Sequence, residues 1–403
     1  MTEFASTVEE ELARLLNGLN INEFLSCSKD LGVGFTPLLR LPEEKNPYDE
    51  KGIPIFIKKE YLNFGESQKS RPFTMMHYYN IVSGRLTGKD TIAIATSSKF
   101  GLAAKLIVPE LRRWFEQRDV EVPDVSLELY MSRKFEEEDP RMLNRLRGDG
   151  TRVVGCSNGW CPTEQSDRGQ EVAMVKEIER YLPNYRAYHQ HGDSLNLLAY
   201  FLQLAPEIFY QTGGRVTHYL SGTGTCGSLV GGGVGLKMFN PKMKVIGLIP
   251  QKDHMQLGLR SRNELRVSRF FSHAEKLCER LVEVSNVDSW NRMLELWEIG
   301  IPSGMTGGTY IHGSLEVAKE LCANGEEGVI VTLIPDSCED HENLYRRYFP
   351  GILGRAFNRD LFEELSAAAK KERDDHVYSL RNSSCQLFER IVEHWSNNKP
   401  ETL

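Results

Sequence analysis

The sequence lacks a long hydrophobic run: no stretch of about 18 consecutive apolar residues occurs, so it predicts no membrane-spanning helix. Its N-terminal residues are acidic and lack the basic and then apolar order of a signal peptide. The eight cysteines are scattered and form no CxxC pair. We therefore expect reduced thiols, no bound metal and a cytoplasmic protein.

An excess of positive charge is also missing. The chain has 49 Lys and Arg residues and 56 Asp and Glu residues, which gives a net charge of −7. This balance argues against a nucleic acid as the main partner, because a phosphate backbone attracts basic surfaces. The 403 residues, of which 40% are hydrophobic, instead predict a folded protein of two or three domains with a sizeable core.

Short runs rich in Val and Ile alternate with longer helical segments from about residue 53 onward. Strands that alternate with helices predict an α/β fold with parallel sheets, and runs that are apolar throughout predict sheets covered on both faces. The length fits two sheets better than one. The predicted strands are residues 53–58, 91–95, 127–131, 152–155, 218–220, 244–249 and 329–334.

Both ends of the chain are predicted to be helical extensions that pack on the body or on a second subunit. Residues 1–30 carry an apolar stripe at helical spacing. Its members are Leu12, Leu15, Leu16 and Leu19. Residues 355–403 are highly charged and have one apolar face. That face consists of Leu387, Phe388, Ile391, Val392 and Trp395.

One turn between a predicted strand and a predicted helix, residues 221–228, is rich in Gly, Thr and Ser. Such a turn presents backbone N–H groups and hydroxyls to an anion, typically a phosphate. Its glycines also match the GxGxxG pattern of nicotinamide dinucleotide sites, although no acidic residue ends the next strand to bind a ribose. A dinucleotide site and a purely structural turn remain alternatives.

Two further turns have the same place between strand and helix. Lys69 lies close to a helix start, where the helix dipole favours an uncharged amine that can form a Schiff base with an aldehyde. Residues 96–101 offer hydroxyls and N–H groups that suit a carboxylate. Taken alone, a surface lysine and a simple helix cap are the plainer interpretations.

Together, these motifs resemble fold-type II pyridoxal-phosphate enzymes of the cysteine synthase and cystathionine β-synthase family. The resemblance runs from TPLLRL at residues 36–41 to about residue 350, roughly three quarters of the chain. The cofactor lysine of the family motif NPGGSVKDR falls on Lys69. The family's TSGNTG loop falls on residues 96–101 and its GTGGT loop on residues 224–228.

The resemblance implies pyridoxal 5'-phosphate as the cofactor and assigns residues to it. Lys69 would hold the aldehyde, and Ser337 would face the pyridine nitrogen. The expected phosphate-binding residues are Gly224, Thr225, Cys226, Gly227 and Ser228. The expected substrate-binding residues are Thr96, Ser97, Ser98, Lys99 and Gln190, of which Lys99 would also contact the cofactor.

The resemblance also implies two lobes with the cofactor between them. The large lobe would hold residues 31–62 and 187–354, and the small mobile lobe residues 63–186. The implied reaction is β-replacement on an O-activated serine through an α-aminoacrylate, with a small nucleophile as second substrate, in a homodimer. Elimination without replacement, as in a dehydratase or ammonia-lyase, and a non-catalytic relative are alternatives.

Lys99 is the main departure from the family, which has asparagine at this position. We expect Lys99 to contact the cofactor's 3'-oxygen or to bind an extra anionic group on the substrate, such as a phosphate leaving group. Orientation toward solvent is the alternative. A buried Lys99 near Lys69 would lower the pKa of both amines by repulsion between like charges.

Overall fold

In the computed structural model, the structure describes residues 3–96, 98–157, 168–265 and 268–398. The strands are β1 (Leu38–Arg40), β2 (Ile55–Lys59), β3 (Thr91–Ala95), β4 (Ser126–Ser132), β5 (Thr151–Ser157), β6 (Tyr185–Ala187), β7 (His218–Gly222), β8 (Lys244–Pro250), β9 (Arg280–Val284) and β10 (Ile330–Ile334). Each of the seven predicted strands overlaps one of these.

Helices occupy most of the remaining described chain. They are α1 (Glu3–Leu16), α2 (Ile21–Leu31), α3 (Ser70–Val82), α4 (Lys99–Glu116), α5 (Lys134–Glu138), α6 (Pro140–Leu146), α7 (Arg168–Tyr181), α8 (Leu195–Ala199), α9 (Ala205–Gln211), α10 (Gly233–Phe239), α11 (Phe271–Leu277), α12 (Asn286–Glu298), α13 (Met305–Ala323), α14 (Glu342–Leu353), α15 (Arg359–Asn382) and α16 (Gln386–Asn397). Short 3₁₀ turns cover Asp49–Lys51 and Glu60–Leu62, and π-helical turns cover Tyr200–Leu204 and Ser228–Gly232.

The strands form two sheets. The larger has the order β1-β2-β10-β7-β8-β9 and is parallel except for β1, which pairs antiparallel with β2. The smaller has the order β5-β4-β3-β6 and is parallel throughout. All five residues of β10 and of β7 are buried, as expected for strands with helices on both faces. The predicted α/β fold with parallel sheets is confirmed.

Glycines let two helical segments, residues 195–211 and 228–239, approach each other closely. A Cβ on Gly231 would lie 2.2 Å from the carbonyl oxygen of Leu197, and one on Gly235 would lie 2.5 Å from Cβ of Ala205. A larger side chain at either position would push the segments apart. Each of these glycines destabilises its helix by roughly 1 kcal/mol relative to alanine. The close packing behind the 224–228 loop offsets this loss.

Both terminal extensions pack on the body of the same chain. In α1, Leu12 and Leu16 are buried in the main hydrophobic core. In α16, Ile391 and Trp395 are buried there too, and the indole Nε1 of Trp395 donates to the carbonyl oxygen of Leu202 at 3.1 Å. None of the helices in the described ranges is long and apolar enough to cross a membrane.

Candidate active site

The three turns singled out in the sequence meet at one cavity. The 221–228 turn follows β7 of the larger sheet and the 96–101 turn follows β3 of the smaller sheet, so the cavity lies where the carboxyl ends of parallel strands from both sheets come together, the usual place for ligands in α/β folds. The predicted residues in the cavity wall are Lys69, Thr96, Ser98, Lys99, Gln190, Gly224, Thr225, Cys226 and Ser228. Ser97 lies outside the described residues.

Lys69 lies directly before α3, and its neighbour Gln68 is held in place by two hydrogen bonds. The backbone N–H of Gln68 donates to the carbonyl oxygen of Pro335 at 2.8 Å, and the hydroxyl of Tyr200 donates to the carbonyl oxygen of Gln68 at 3.1 Å. Burial, with a further contribution from the guanidinium of Arg260, lowers the pKa of Lys69 to about 8. About half of the Lys69 amine is therefore uncharged and nucleophilic at pH 8.

The 224–228 loop forms a tightly packed anion cradle. Asn196 Nδ2 and the backbone N–H of Gly227 both donate to Thr225 Oγ1, at 3.1 and 3.2 Å. A Cβ on Gly224 would lie 2.2 Å from the carbonyl oxygen of Gly258, and one on Gly227 would lie 2.1 Å from Asn196 Oδ1. The loop thus needs glycine at both positions, and its hydroxyls and N–H groups suit a phosphate.

Cys226 takes a left-handed conformation with φ of 62°, which glycine adopts more easily. The thiol is buried, and burial raises its pKa to about 12, so it is uncharged. We predict that Cys226→Gly changes stability by no more than about 1 kcal/mol, because relief of the left-handed strain offsets the lost thiol packing and the greater freedom of the unfolded chain.

Cys226→Ala is the matched control, since it loses the thiol but keeps the side chain that disfavours this conformation. We expect it to be less stable than Cys226→Gly in thermal unfolding. If alanine proves the more stable substitution, the left-handed strain does not govern stability at this position.

The described residues of the 96–101 loop are joined by hydrogen bonds. Thr96 Oγ1 accepts from the backbone N–H groups of Ser98 and Gly101, at 3.2 and 3.1 Å. The side-chain amide of Gln190 donates to the carbonyl oxygen of Ala95 at 3.3 Å, which fixes Gln190 beside the loop. Helix α4 begins within this loop, at Lys99, so its first turn lies in the cavity wall, where the free N–H groups of a helix start would stabilise a carboxylate.

Lys99 does not point to solvent: its side chain is buried and forms an ion pair with Asp340. Burial acts to lower the pKa of Lys99, but Asp340 and, less strongly, Glu66 and Asp336 outweigh it and raise that pKa. The expectation that repulsion lowers the pKa of both lysines is therefore wrong for Lys99. The cation that contributes to the lowered pKa of Lys69 is Arg260 instead.

Ser337 is fully buried behind the cavity wall. Its hydroxyl donates to Glu339 Oε2 at 2.5 Å, and Glu339 accepts two hydrogen bonds from Arg373 of α15, at 2.8 and 3.0 Å. The neighbouring Asp336 is the residue in the wall, and burial raises the pKa of its carboxyl. The contact of Ser337 with a pyridine nitrogen remains a prediction.

Sequence reasoning missed four groups at or near the cavity: Asp336, Tyr310 and His341 in its wall, and Arg260, whose charge acts on Lys69. His341 Nδ1 lies 2.8 Å from Asp139 Oδ2. The segment GMTGGTY at residues 304–310, which forms the start of α13 and carries Tyr310, was the available signal, because it is rich in Gly and Thr like the turn at residues 221–228.

The residues in the wall fit a phosphorylated aldehyde. The cavity contains the Lys69 amine, whose pKa is lowered, and the 224–228 loop, which suits an anion. It also contains the buried Gln68 Oε1, which has no hydrogen-bond partner in the described part of the chain. Two mainly parallel sheets with such a lysine and such a loop at one cavity define a pyridoxal-phosphate-dependent enzyme of the α/β class.

Comparison with known proteins supports the same class of enzyme. A family model described as pyridoxal-phosphate dependent enzyme matches residues 122–336. Cysteine synthase from Aquifex aeolicus (strain VF5) is 30% identical over 317 residues, which cover 77% of this chain and 88% of the relative. Cysteine synthase B from Escherichia coli (strain K12) is 25% identical over 305 residues, which cover 75% and 90%.

The fold also matches a solved structure, the O-acetylserine dependent cystathionine β-synthase from Helicobacter pylori. The TM-score is 0.64 at 21% identity, over 78% of this chain and 96% of that chain. This chain belongs to the pyridoxal-phosphate-dependent enzyme family, among relatives of the cysteine synthase and cystathionine β-synthase type. The predicted resemblance, fold class and cofactor are confirmed, and a nicotinamide site and a non-catalytic relative are set aside.

Proposed function

We propose that this enzyme catalyses β-replacement on an O-activated serine, either O-acetylserine or O-phosphoserine, to make cysteine or a related β-substituted alanine. The observation that carries the proposal is the placement of Lys69, with a pKa of about 8, in one cavity with the 96–101 and 224–228 loops. The names of the relatives, cysteine synthase and O-acetylserine dependent cystathionine β-synthase, support it.

Each part of the site has a defined task. Bound pyridoxal phosphate supplies an electron sink that weakens bonds at the α-carbon of an amino acid. Lys69 would hold the aldehyde and then, once released, take the α-proton as general base, for which its lowered pKa suits it. The 224–228 loop would hold the phosphate, and the 96–101 loop with Gln190 would hold the substrate carboxylate.

The free space in this cavity is about 50 Å³, whereas ligand pockets typically offer about 300–1,000 Å³. Binding therefore requires its walls to separate. Contacts between the predicted small lobe and the segment after β10, such as Asp139 with His341 and Arg145 with Asp340, hold the walls together. We propose that residues 63–186 move as a lobe to admit ligands and close over the substrate.

Lys99 is not a free receptor for a substrate phosphate in this arrangement, because its ammonium group is already paired with the carboxylate of Asp340. O-acetylserine is therefore the favoured substrate of the two. A direct comparison of the two O-activated serines, at equal concentration and with the same nucleophile, tests this preference.

The proposed function is tested by product analysis with the purified holoenzyme. With O-acetylserine and sulfide, we expect acetate and cysteine in equal amounts. Pyruvate and ammonia as the main products, with sulfide present, would identify elimination instead. Release of neither acetate from O-acetylserine nor phosphate from O-phosphoserine, in protein that carries the cofactor, would contradict the proposal.

We also propose a homodimer, as in the resemblance to the family, and a cytoplasmic location. Light scattering coupled to size-exclusion chromatography tests the first, and imaging of the tagged chain in its own cell tests the second.

A further inference from the structure

A buried arginine of the C-terminal extension reaches the segment that follows β10. Arg373 of α15 donates hydrogen bonds to both carboxylate oxygens of Glu339, at 2.8 and 3.0 Å. This bidentate contact fixes the orientation of the carboxylate. The two side chains are only 7% and 11% exposed, and both residues lie beyond residues 122–336, which the family model matches. The pair has no task in the proposed β-replacement.

Glu339 is ionised in this arrangement. Burial acts to raise the pKa of its carboxyl, but the hydrogen bonds and charge of Arg373, with smaller contributions from Ser337 and Lys99, outweigh it and lower that pKa. Glu66, another carboxylate near Arg373, lies 3.7 Å from the guanidinium, which is too far for a hydrogen bond. The guanidinium of Arg373 therefore acts mainly on Glu339.

The hydroxyl of Ser337 donates to this carboxylate, at Glu339 Oε2, over 2.5 Å. An ionised carboxylate only accepts hydrogen bonds, and a hydroxyl has one proton and two lone pairs. Ser337 thus directs its only proton to Glu339 and can offer a further partner only a lone pair. A neutral pyridine nitrogen is also an acceptor and would be repelled, whereas a protonated nitrogen would donate its N–H to the serine oxygen.

We infer that Glu339 and Arg373 are positioning residues that act through Ser337 and favour the protonated form of the pyridine nitrogen of bound pyridoxal phosphate. The inference rests on the predicted contact of Ser337 with that nitrogen. It goes beyond the proposed function, because it holds for replacement and for elimination alike. The nitrogen takes its proton from water, with no oxidation or reduction. A positively charged ring withdraws electrons more strongly than a neutral one, so the α-proton that Lys69 is proposed to take would be more acidic.

Solid-state nitrogen NMR of the holoenzyme, loaded with cofactor that is isotopically labelled at the ring nitrogen, measures this protonation without any substrate. We expect the chemical shift of a pyridinium in the wild type. In Glu339→Gln, which keeps the size of the side chain, the shift should move to that of a neutral pyridine. The uncharged amide can donate to the Ser337 oxygen, which frees the serine proton for the nitrogen.

Glu66→Gln is the matched control, because Glu66 also lies close to Arg373 but is not the carboxylate that accepts from Ser337. It should keep the pyridinium shift. Ser337→Ala removes the link between Glu339 and the ring and should lose that shift, as Glu339→Gln does. Thermal unfolding of each variant establishes that it is folded.

The role of Arg373 is tested by two substitutions at its position. Arg373→Met leaves Glu339 without its counter-charge and should lose the pyridinium shift. Arg373→Lys retains a positive charge next to Glu339 and should keep it. Equal chemical shifts in these two variants would overturn the role of Arg373.

A neutral ring nitrogen in the wild type overturns the inference. A pyridinium that persists in Glu339→Gln also overturns it and would assign the counter-charge to Asp336 in the cavity wall instead. The same holds for a pyridinium that persists in Ser337→Ala, or for one that Glu66→Gln loses to the same extent as Glu339→Gln. The products formed from O-acetylserine test the proposed function separately, because the NMR sample contains no substrate.

Discussion

Lys69→Ala is expected to leave an enzyme that cannot hold its cofactor covalently and turns over O-acetylserine at least about 10³-fold more slowly. Lys69 is assigned both the link to the aldehyde and the transfer of the α-proton, and a positioned proton-transfer group alone contributes about 10²–10⁴-fold. Its amine is the one in the cavity whose pKa is lowered, to about 8. Steady-state rates and the visible absorbance of the purified protein measure both losses.

Borohydride reduction followed by peptide mapping locates the attachment directly. We expect a pyridoxyl group on Lys69 in the wild type and none at this peptide in Lys69→Ala. Lys89→Ala is the matched control, because Lys89 is exposed and lies outside the cavity, and it should behave as the wild type. A pyridoxyl group on any other lysine of the wild type would contradict the assignment of Lys69.

The central strands of the fold could be predicted from the sequence, whereas three edge strands could not. Strands such as β10 and β8 are apolar runs with turns beside them, and burial on both faces imposes that pattern. The three missed strands, β1, β6 and β9, all lie at sheet edges. Two of them have only three residues, and β9 contains the charged Arg280 and Glu283 within its five residues, so none of the three is an apolar run.

The residues of the candidate site also fall into those that the sequence predicts and those that it does not. Lys69 and the 224–228 loop were predictable because one local segment supplies both the chemistry and the turn that presents it. Arg260 was not, because its effect on Lys69 depends on a loop far away in sequence. Asp336 and Ser337 are adjacent in sequence, and which of them lies in the cavity wall is decided by packing after β10 rather than by any motif.

The second large effect expected from this structure is on stability and concerns Asp340. Its carboxylate is 1% exposed and forms ion pairs with two cations, Lys99 and Arg145. These cations hold the pKa of Asp340 well below its usual range, despite the opposing effect of burial. Arg145 has a second partner in Glu66 at 2.7 Å, whereas Lys99 forms an ion pair with Asp340 alone among the described residues.

The two partners of this ion pair should therefore respond unequally to substitution. Asp340→Asn leaves the buried ammonium of Lys99 without its counter-charge and should cost about 3–5 kcal/mol. Lys99→Met leaves Asp340 paired with Arg145 and should cost less, about 1–3 kcal/mol. Urea unfolding of the single variants measures this difference directly.

The double variant Lys99→Met/Asp340→Asn tests whether the buried charge is the cause. Because it contains neither member of the pair, it should be more stable than Asp340→Asn alone, with a coupling energy between about 0.5 and 3 kcal/mol. Additive losses in this cycle would mean that Lys99 and Asp340 contribute independently. The departure from the family asparagine at position 99 would then not be compensated by Asp340, and the lysine would need another reason to be tolerated inside the cavity.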